Sequence, residues 1–223
     1  DNYTQRLTFD PAEDTHPTWS PDKSQIAFSS NRQGEFAIFI MNRDGSNQHR
    51  ISPDIGSYAG SPAWSPDGRS IAYVSNPDGE SQIHIMAVDG SDDRAITDAS
   101  HESIDPLWSP DGRSLMFAAN PDGNFEIFVI RRNGTGIRQI TNDQTVDSDS
   151  PAWSPDGTLI AFAANSTRLG ELYVMNPNGS EVRVLASTEN EIVSSPTWSP
   201  DGQSIIYSVR SVSQTSLRQI RVD

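Results

Sequence analysis

Five residues of differing chemistry occupy the same place in a repeated pattern, directly before a proline and shortly before a tryptophan. They are His16, Ser61, Asp105, Ser150 and Ser195. A histidine can transfer a proton or bind a metal, an aspartate can bind a cation, and a serine can donate or accept a hydrogen bond. Because these residues vary while their surroundings repeat, we predict that they line a binding surface.

Acidic and polar residues precede these positions: Asp14, Tyr58, Glu102, Asp147, Asp149, Glu189 and Glu191. We add Asp14 and Tyr58 to the predicted binding residues and call the resulting set the rim. Small and acidic groups suit a cation or a basic peptide. The alternative is an acidic surface that is solvated and binds nothing specific.

A more specific hypothesis is that the bound cation is Ca²⁺. Carboxylate oxygens are the ligands that Ca²⁺ prefers. Asp147 and Asp149, with Asp105 or Glu102 from a neighbouring repeat, therefore form a candidate calcium site. No other cofactor is indicated.

The sequence contains no signature of a common catalytic site. His101-Glu102 lacks the second histidine of a zinc protease, and neither a nucleophile elbow nor a phosphate-binding glycine loop occurs. The absence of cysteine excludes disulfides, thiolate metal sites and cysteine nucleophiles. We therefore predict no catalytic residues and no enzymatic activity in this chain.

Charge and hydropathy restrict the partners. Thirty acidic residues against 16 basic ones give a net charge of −14, which repels nucleic acids. No apolar run is long enough to cross a bilayer. The expected partner is a protein or peptide, and the acidic rim favours a basic one.

The elements that must position the rim come from an internal repeat. Each of the five tryptophans begins Trp-Ser-Pro-Asp, and the motif recurs every 44 or 45 residues, at Trp19, Trp64, Trp108, Trp153 and Trp198. Each Pro-Asp aspartate can hydrogen-bond its own backbone. We therefore predict that these aspartates have structural roles. We also predict that the tryptophans pack between repeats and that their indole N–H groups form local hydrogen bonds.

Each repeat contains four short strand patterns separated by turn residues. In the second repeat these are Pro62–Ser65, Ser70–Ser75, Ile83–Met86 and a fourth strand that carries Ile96. Four strands in about 45 residues are typical of a propeller blade. The prediction is an all-β fold built from four-stranded antiparallel blades.

The two ends of the sequence complement each other. The fifth repeat lacks its fourth strand, whereas Gln5–Thr8 matches a fourth strand without a repeat of its own. We predict one five-bladed domain, residues 1–223, that is monomeric and closed by the N-terminal strand joining the last blade.

The recurring Pro-x-Trp-Ser-Pro-Asp-Gly, Ile-Ala-Phe/Tyr and Asp-Gly-Ser elements resemble the WD-like repeats of the TolB type. This resemblance implies a bacterial, periplasmic or extracytoplasmic module, namely a non-catalytic protein- or peptide-binding scaffold or sensor that binds at the channel mouth. The alternative is a substrate-gating propeller domain of a larger peptidase or polysaccharide-degrading enzyme. TolB itself has more blades and an additional N-terminal domain, so its partner contacts are not carried over.

Overall fold

A computed structural model describes residues 4–54, 56–77, 79–142, 147–166 and 168–222, with the backbone alone for residues 147–150. The chain separates into two compact units, Asp1–Trp108 and Ser109–Asp223, and each is described by itself. The described residues form strands, turns and loops without a helix, so none of them belongs to a helix that could span a membrane. The predicted all-β class is confirmed.

The first unit carries two antiparallel four-stranded sheets, ordered β1-β2-β3-β4 and β5-β6-β7-β8, followed by the strand β9. The strand bounds are β1 (Asp14–Trp19), β2 (Gln25–Ser30), β3 (Ala37–Asn42), β4 (His49–Arg50), β5 (Ala59–Trp64), β6 (Ser70–Ser75), β7 (Gln82–Ala87), β8 (Arg94–Ala95) and β9 (Ser103–Trp108). The predicted second strand of the second repeat coincides with β6.

The second unit carries neighbouring strands β10-β11-β12, a sheet β13-β14-β15-β16 and a three-stranded sheet β17-β18-β19. The strand bounds are β10 (Ser114–Ala119), β11 (Glu126–Arg131), β12 (Arg138–Gln139), β13 (Asp147–Trp153), β14 (Ile160–Asn165), β15 (Leu169–Met175), β16 (Arg183–Glu189), β17 (Ile192–Trp198), β18 (Ser204–Arg210) and β19 (Thr215–Arg221). The strands of the described residues form five sheets.

The fourth strands of the first repeats are shorter than predicted. Ile51 was expected within such a strand, but β4 ends just before it, and β8 and β12 are equally short. The reason is a side-chain hydrogen bond: the Ile38 N–H donates to the Ser52 hydroxyl at 3.0 Å instead of continuing the ladder. Thr97 accepts the equivalent bond from Ile83, at 2.9 Å.

Within each unit the core is built mainly by the second and third strands of the sheets, and these inner strands supply both of their faces. In β3, Ile38 and Ile40 join a cluster that includes residues of the second sheet, whereas Ala37, Phe39 and Met41 join a separate cluster with Leu7. Alternate residues of a strand point to opposite faces. Two buried faces explain why these strands are continuously apolar in sequence.

The predicted closing strand, Gln5–Thr8, has no strand geometry. Leu7 nevertheless lies against the first sheet: its carbonyl accepts a hydrogen bond from the Gln48 amide at 3.0 Å, and a Cβ on Gly45 would lie 2.7 Å from that oxygen. Ile51 makes the same close approach to Gly90. Leu7 thus occupies a fourth-strand position relative to the first sheet, while its pairing with the last sheet stays a prediction.

The repeated motif has the structural role predicted for it, with exceptions among the tryptophans. Trp108 and Trp198 donate their indole N–H to backbone carbonyls of the preceding repeat, each at 3.1 Å. Among the described residues, Trp64 and Trp153 have no partner for theirs. Trp19 is 52% exposed. Trp64 and Trp153 pack in apolar clusters as predicted, but the predicted bonding of their indole N–H groups is wrong; at Trp19 the predicted packing is wrong.

Candidate functional site

A β-bulge displays the residue before each proline. In β1, β5 and β17 the pairing with the next strand shifts register around this residue. Its φ is positive in the four repeats whose side chain is described: 50° at His16, 51° at Ser61, 52° at Asp105 and 53° at Ser195. Non-glycine residues rarely adopt this conformation, which costs free energy of folding. The bulge turns these side chains out of the ladder, and all but the half-buried Ser61 are exposed.

Three predicted rim residues come together in the first unit. Strand β5 packs against both β1 and β9, so the bulges of three successive repeats are neighbours. The charge of Asp105 acts on Tyr58, and His16 acts on Asp105. We call His16, Tyr58 and Asp105 the rim cluster.

Asp105 is the electrostatic centre of the rim cluster. Part of the Asp105 side chain is exposed, but the surrounding protein desolvates its carboxylate enough to raise its pKa, and the nearby His16 imidazole offsets this only in part. Among the described residues, no hydrogen bond or ion pair engages its carboxylate. A carboxylate that is partly desolvated and unpaired is stabilised by a ligand that brings a positive charge or N–H donors.

Tyr58 is positioned by a glycine. A Cβ on Gly60 would lie 2.0 Å from the Tyr58 hydroxyl oxygen, so the ring covers the space that a side chain would fill. The Phe36 ring lies 5.9 Å away, and the Tyr58 N–H donates to the Asn76 side chain at 3.0 Å. Burial and the charge of Asp105 both raise the pKa of Tyr58, which keeps its hydroxyl protonated.

Asp14, another predicted rim residue, is engaged within the protein. Its carboxylate accepts a hydrogen bond from Arg32 at 2.9 Å. Burial opposes ionisation, but hydrogen bonds from Ser30, Arg32 and Thr8 and the charge of Arg32 outweigh it, so the pKa of Asp14 is lowered. Arg32 also lies over the Phe28 and Phe39 rings, 5.2 and 4.8 Å from their centroids. Asp14 is therefore paired within the protein and is not available to a ligand, contrary to the prediction.

The other predicted residues lie elsewhere. Ser195 is exposed in the second unit. The side chains of Ser150, Asp147 and Asp149 lie outside the described residues, so the calcium site stays a prediction. Among the side chains that are described, no three histidines or carboxylates are grouped as metal ligands.

The contact between Tyr58 and Gly60 was not predicted. The other repeats have Thr15, Ile104, Asp149 and Ser194 at the position of Gly60. The available signal was a glycine at this one position, two residues after an aromatic residue. It marks the repeat in which an aromatic ring can fold onto the bulged strand.

Repeated four-stranded sheets, packed face to face with bulged first strands, define a class of β-propeller repeat. The chain belongs to the family described as the TolB beta propeller domain, which matches residues 57–223. The predicted resemblance to TolB-type repeats is thereby confirmed.

Solved structures show the same fold. A protein described as a TolB of Agrobacterium tumefaciens is 25% identical, with a TM-score of 0.72 over 93% of this chain and 74% of that one. TolB of Acinetobacter baumannii is 22% identical, with a TM-score of 0.77 over 96% of this chain and 53% of that one. A puromycin-hydrolyzing peptidase of Mycobacterium tuberculosis is 16% identical, with a TM-score of 0.76 over 94% and 35%. The chain thus spans about half of the Acinetobacter protein and a smaller part of the peptidase.

Proposed function

We propose that this chain is a non-catalytic, extracytoplasmic propeller module that binds a protein or peptide through the rim cluster, with Ser61 beside it. The bound segment carries a basic group, either a lysine or arginine side chain or a free amine. Membership of the propeller family supports the role of a binding scaffold. The acidic composition supports a partner with positive charge.

One observation carries the proposal: Asp105 is unpaired among the described residues and shares its surroundings with Tyr58 and His16. A carboxylate beside an aromatic ring is a common receptor for ammonium and guanidinium groups. A ligand that donates hydrogen bonds or a positive charge to Asp105 would offset the desolvation that raises the pKa of this carboxyl.

The test begins with peptides selected from a displayed random library against the chain. Their affinities are then measured by calorimetry with Asp105→Asn, His16→Ala and, as a matched control, Asp201→Asn, which changes a turn aspartate. We expect enrichment of basic peptides whose binding is lost with Asp105→Asn and is unchanged with Asp201→Asn. Equal binding by both variants would place the site elsewhere.

The enzymatic alternative is a gating propeller within a larger peptidase. The mycobacterial peptidase has the same fold at 16% identity. Sequencing the full-length gene product distinguishes the two proposals. A hydrolase domain beside the propeller would support gating, and another kind of domain would support the binding scaffold.

We also propose that Gln5–Thr8 completes the sheet β17-β18-β19 and closes the five-bladed ring. The fourth-strand position of Leu7 supports this. Because Phe39 pairs with Arg50, the equivalent closing pair would be Arg218 with Arg6. Since the chain has no cysteine, an Arg6→Cys, Arg218→Cys variant should form one intramolecular disulfide on oxidation. Persistent free thiols would contradict closure.

A further inference from the structure

Four equivalent turns connect the third and fourth strands of the first four repeats. Each contains an aspartate or asparagine, followed by a glycine and a hydroxyl residue; the acidic or amide residues are Asp44, Asp89, Asn133 and Asn178. The φ of the glycine lies between 80° and 86° in all four turns. Each glycine N–H donates to the carbonyl three residues earlier, at 2.8 or 2.9 Å. The four turns therefore share one backbone conformation and differ in whether they hold a carboxylate or an amide.

In the first two repeats the turn holds a carboxylate. Asp44 Oδ1 accepts hydrogen bonds from the Ser46 hydroxyl at 2.6 Å and from the Ser46 N–H at 2.9 Å. Ser91 holds Asp89 in the same way, at 2.6 and 3.0 Å. These bonds, that of the hydroxyl first, lower the pKa of both carboxyls. The turn thus favours the charged form of the side chain.

In the third and fourth repeats the same turn holds an amide. Asn178 Oδ1 accepts hydrogen bonds from the Ser180 hydroxyl at 2.6 Å and from the Ser180 N–H at 2.9 Å, the distances found at Asp44. Asn133 Oδ1 accepts the equivalent bonds from Thr135, at 2.8 and 3.1 Å. A carboxylate offers the same oxygen with a charge that strengthens such bonds. Replacing either amide by a carboxylate therefore loses none of these bonds.

An asparagine followed by glycine can deamidate without an enzyme, because glycine has no Cβ to hinder attack by its own nitrogen. The glycine nitrogen bonds to the asparagine Cγ, the bond from Cγ to Nδ2 breaks, and ammonia leaves with the proton of the glycine N–H. Water then opens the resulting succinimide ring at one carbonyl, giving aspartate or isoaspartate. Asn133 and Asn178 are both exposed, so water reaches them. The two donors on Oδ1 stabilise the negative charge that develops on this oxygen during the attack.

We propose that Asn133 and Asn178 are deamidation sites whose aspartate product the folded chain accepts. The aspartate re-forms the Asp-Gly turn of the first two repeats, whereas isoaspartate lengthens the backbone and does not. Asn133 reacts faster, because its turn bonds are longer and its turn lacks one contact. In the Asn178 turn the Asn176 amide donates to the Ser180 hydroxyl at 2.9 Å, and the residue equivalent to Asn176 in the other turn is Arg131.

The test holds the folded chain at mildly alkaline pH and follows the conversion of amide to acid at each site by peptide chromatography and mass spectrometry. We expect acid to accumulate several-fold faster at Asn133 than at Asn178, with the aspartate product remaining in the folded fraction from size-exclusion chromatography. Asn76 and Asn120 are internal controls that should stay amides, because the proline after each has no N–H. The proposal is overturned if the Asn-Gly sites stay amides as the controls do, or if aspartate occurs only in unfolded chains.

Substitutions provide a matched test of the turn itself. Asn178→Asp should unfold at a urea concentration no lower than the wild type, whereas Asn178→Ala, which removes the acceptor, should unfold at a lower one. Asp44→Asn creates an additional Asn-Gly turn, and its deamidation should restore the wild-type sequence. A lower urea midpoint for Asn178→Asp, or an Asp44→Asn chain that does not deamidate, overturns the proposal. Asp105→Asn, which tests the rim cluster, should leave every rate unchanged, so this proposal and the proposed function can fail independently.

Discussion

Asp105 and Asp111 are neighbours in sequence but lie in opposite kinds of environment. Asp111, in the turn, accepts hydrogen bonds from the Ser109 hydroxyl at 2.6 Å and the Arg113 N–H at 3.0 Å, and these bonds lower its pKa. Asp105, at the bulge, has no such donor among the described residues, and partial desolvation by the surrounding protein raises its pKa. An aspartate therefore stabilises the fold in the turn and is available to a ligand at the bulge.

The largest expected loss of stability comes from breaking the ion pair of Arg32 with Asp14, which lies at the bulge edge but stabilises the fold. Arg32→Ala should lower the free energy of unfolding by about 3 kcal/mol, because it leaves the half-buried Asp14 carboxylate without its cation and removes the contact with two aromatic rings. Urea unfolding measures the change. Arg43→Ala, at an exposed position, is the control and should have little effect.

A smaller effect compares a turn serine with a bulge serine. The Ser154 hydroxyl donates to Asp156 at 2.7 Å and accepts the Leu159 N–H at 2.9 Å, so Ser154→Ala should cost about 1–2 kcal/mol in thermal or urea unfolding. Ser195→Ala, at the exposed bulge position, should cost almost nothing. Equal losses would remove the distinction between the two edges.

The smallest effect is a pair of opposite pH dependences. The raised pKa of Asp105 gives stability that is present below the unfolded value of 3.8 and is lost as pH rises through the folded pKa. The lowered pKa of Asp111 gives stability that is present above 3.8 and is lost as pH falls through the folded pKa.

Urea unfolding between about pH 3 and pH 7 should resolve this pair. Relative to Asp105→Asn, the wild type should lose stability as pH rises. Relative to Asp111→Asn, it should gain stability over the acidic part of the range. Slopes of the same sign would show that the two carboxylates do not differ as the structure indicates.

Periodicity was sufficient to predict the strands and turns, because each repeat must bury two faces and reverse direction at the same places. The spacing also aligned the aromatic residues that pair across strands, such as Phe117 with Phe128, whose rings lie 5.7 Å apart. The short fourth strands could not be predicted, since a single hydroxyl at Ser52 or Thr97 ends the ladder.

The candidate site was only partly predictable. Variation before the prolines identified His16 and Asp105, but the sequence does not show that Asp14 is neutralised by Arg32 from the turn after β2. The unbonded indole of Trp64 was also unforeseen, because its motif is identical to that of Trp108. Such differences arise from small shifts between packed sheets, which an identical motif cannot encode.

The contact between Tyr58 and Gly60 means that evolutionary changes at these two positions depend on each other. A side chain at residue 60 would overlap the tyrosine ring, since even its Cβ would lie 2.0 Å from the hydroxyl oxygen. A larger residue can therefore replace Gly60 only if Tyr58 has already been replaced by a smaller residue, or is replaced at the same time. Positions 58 and 60 should therefore covary among homologous sequences. The order in which the two residues changed would indicate when the rim cluster arose.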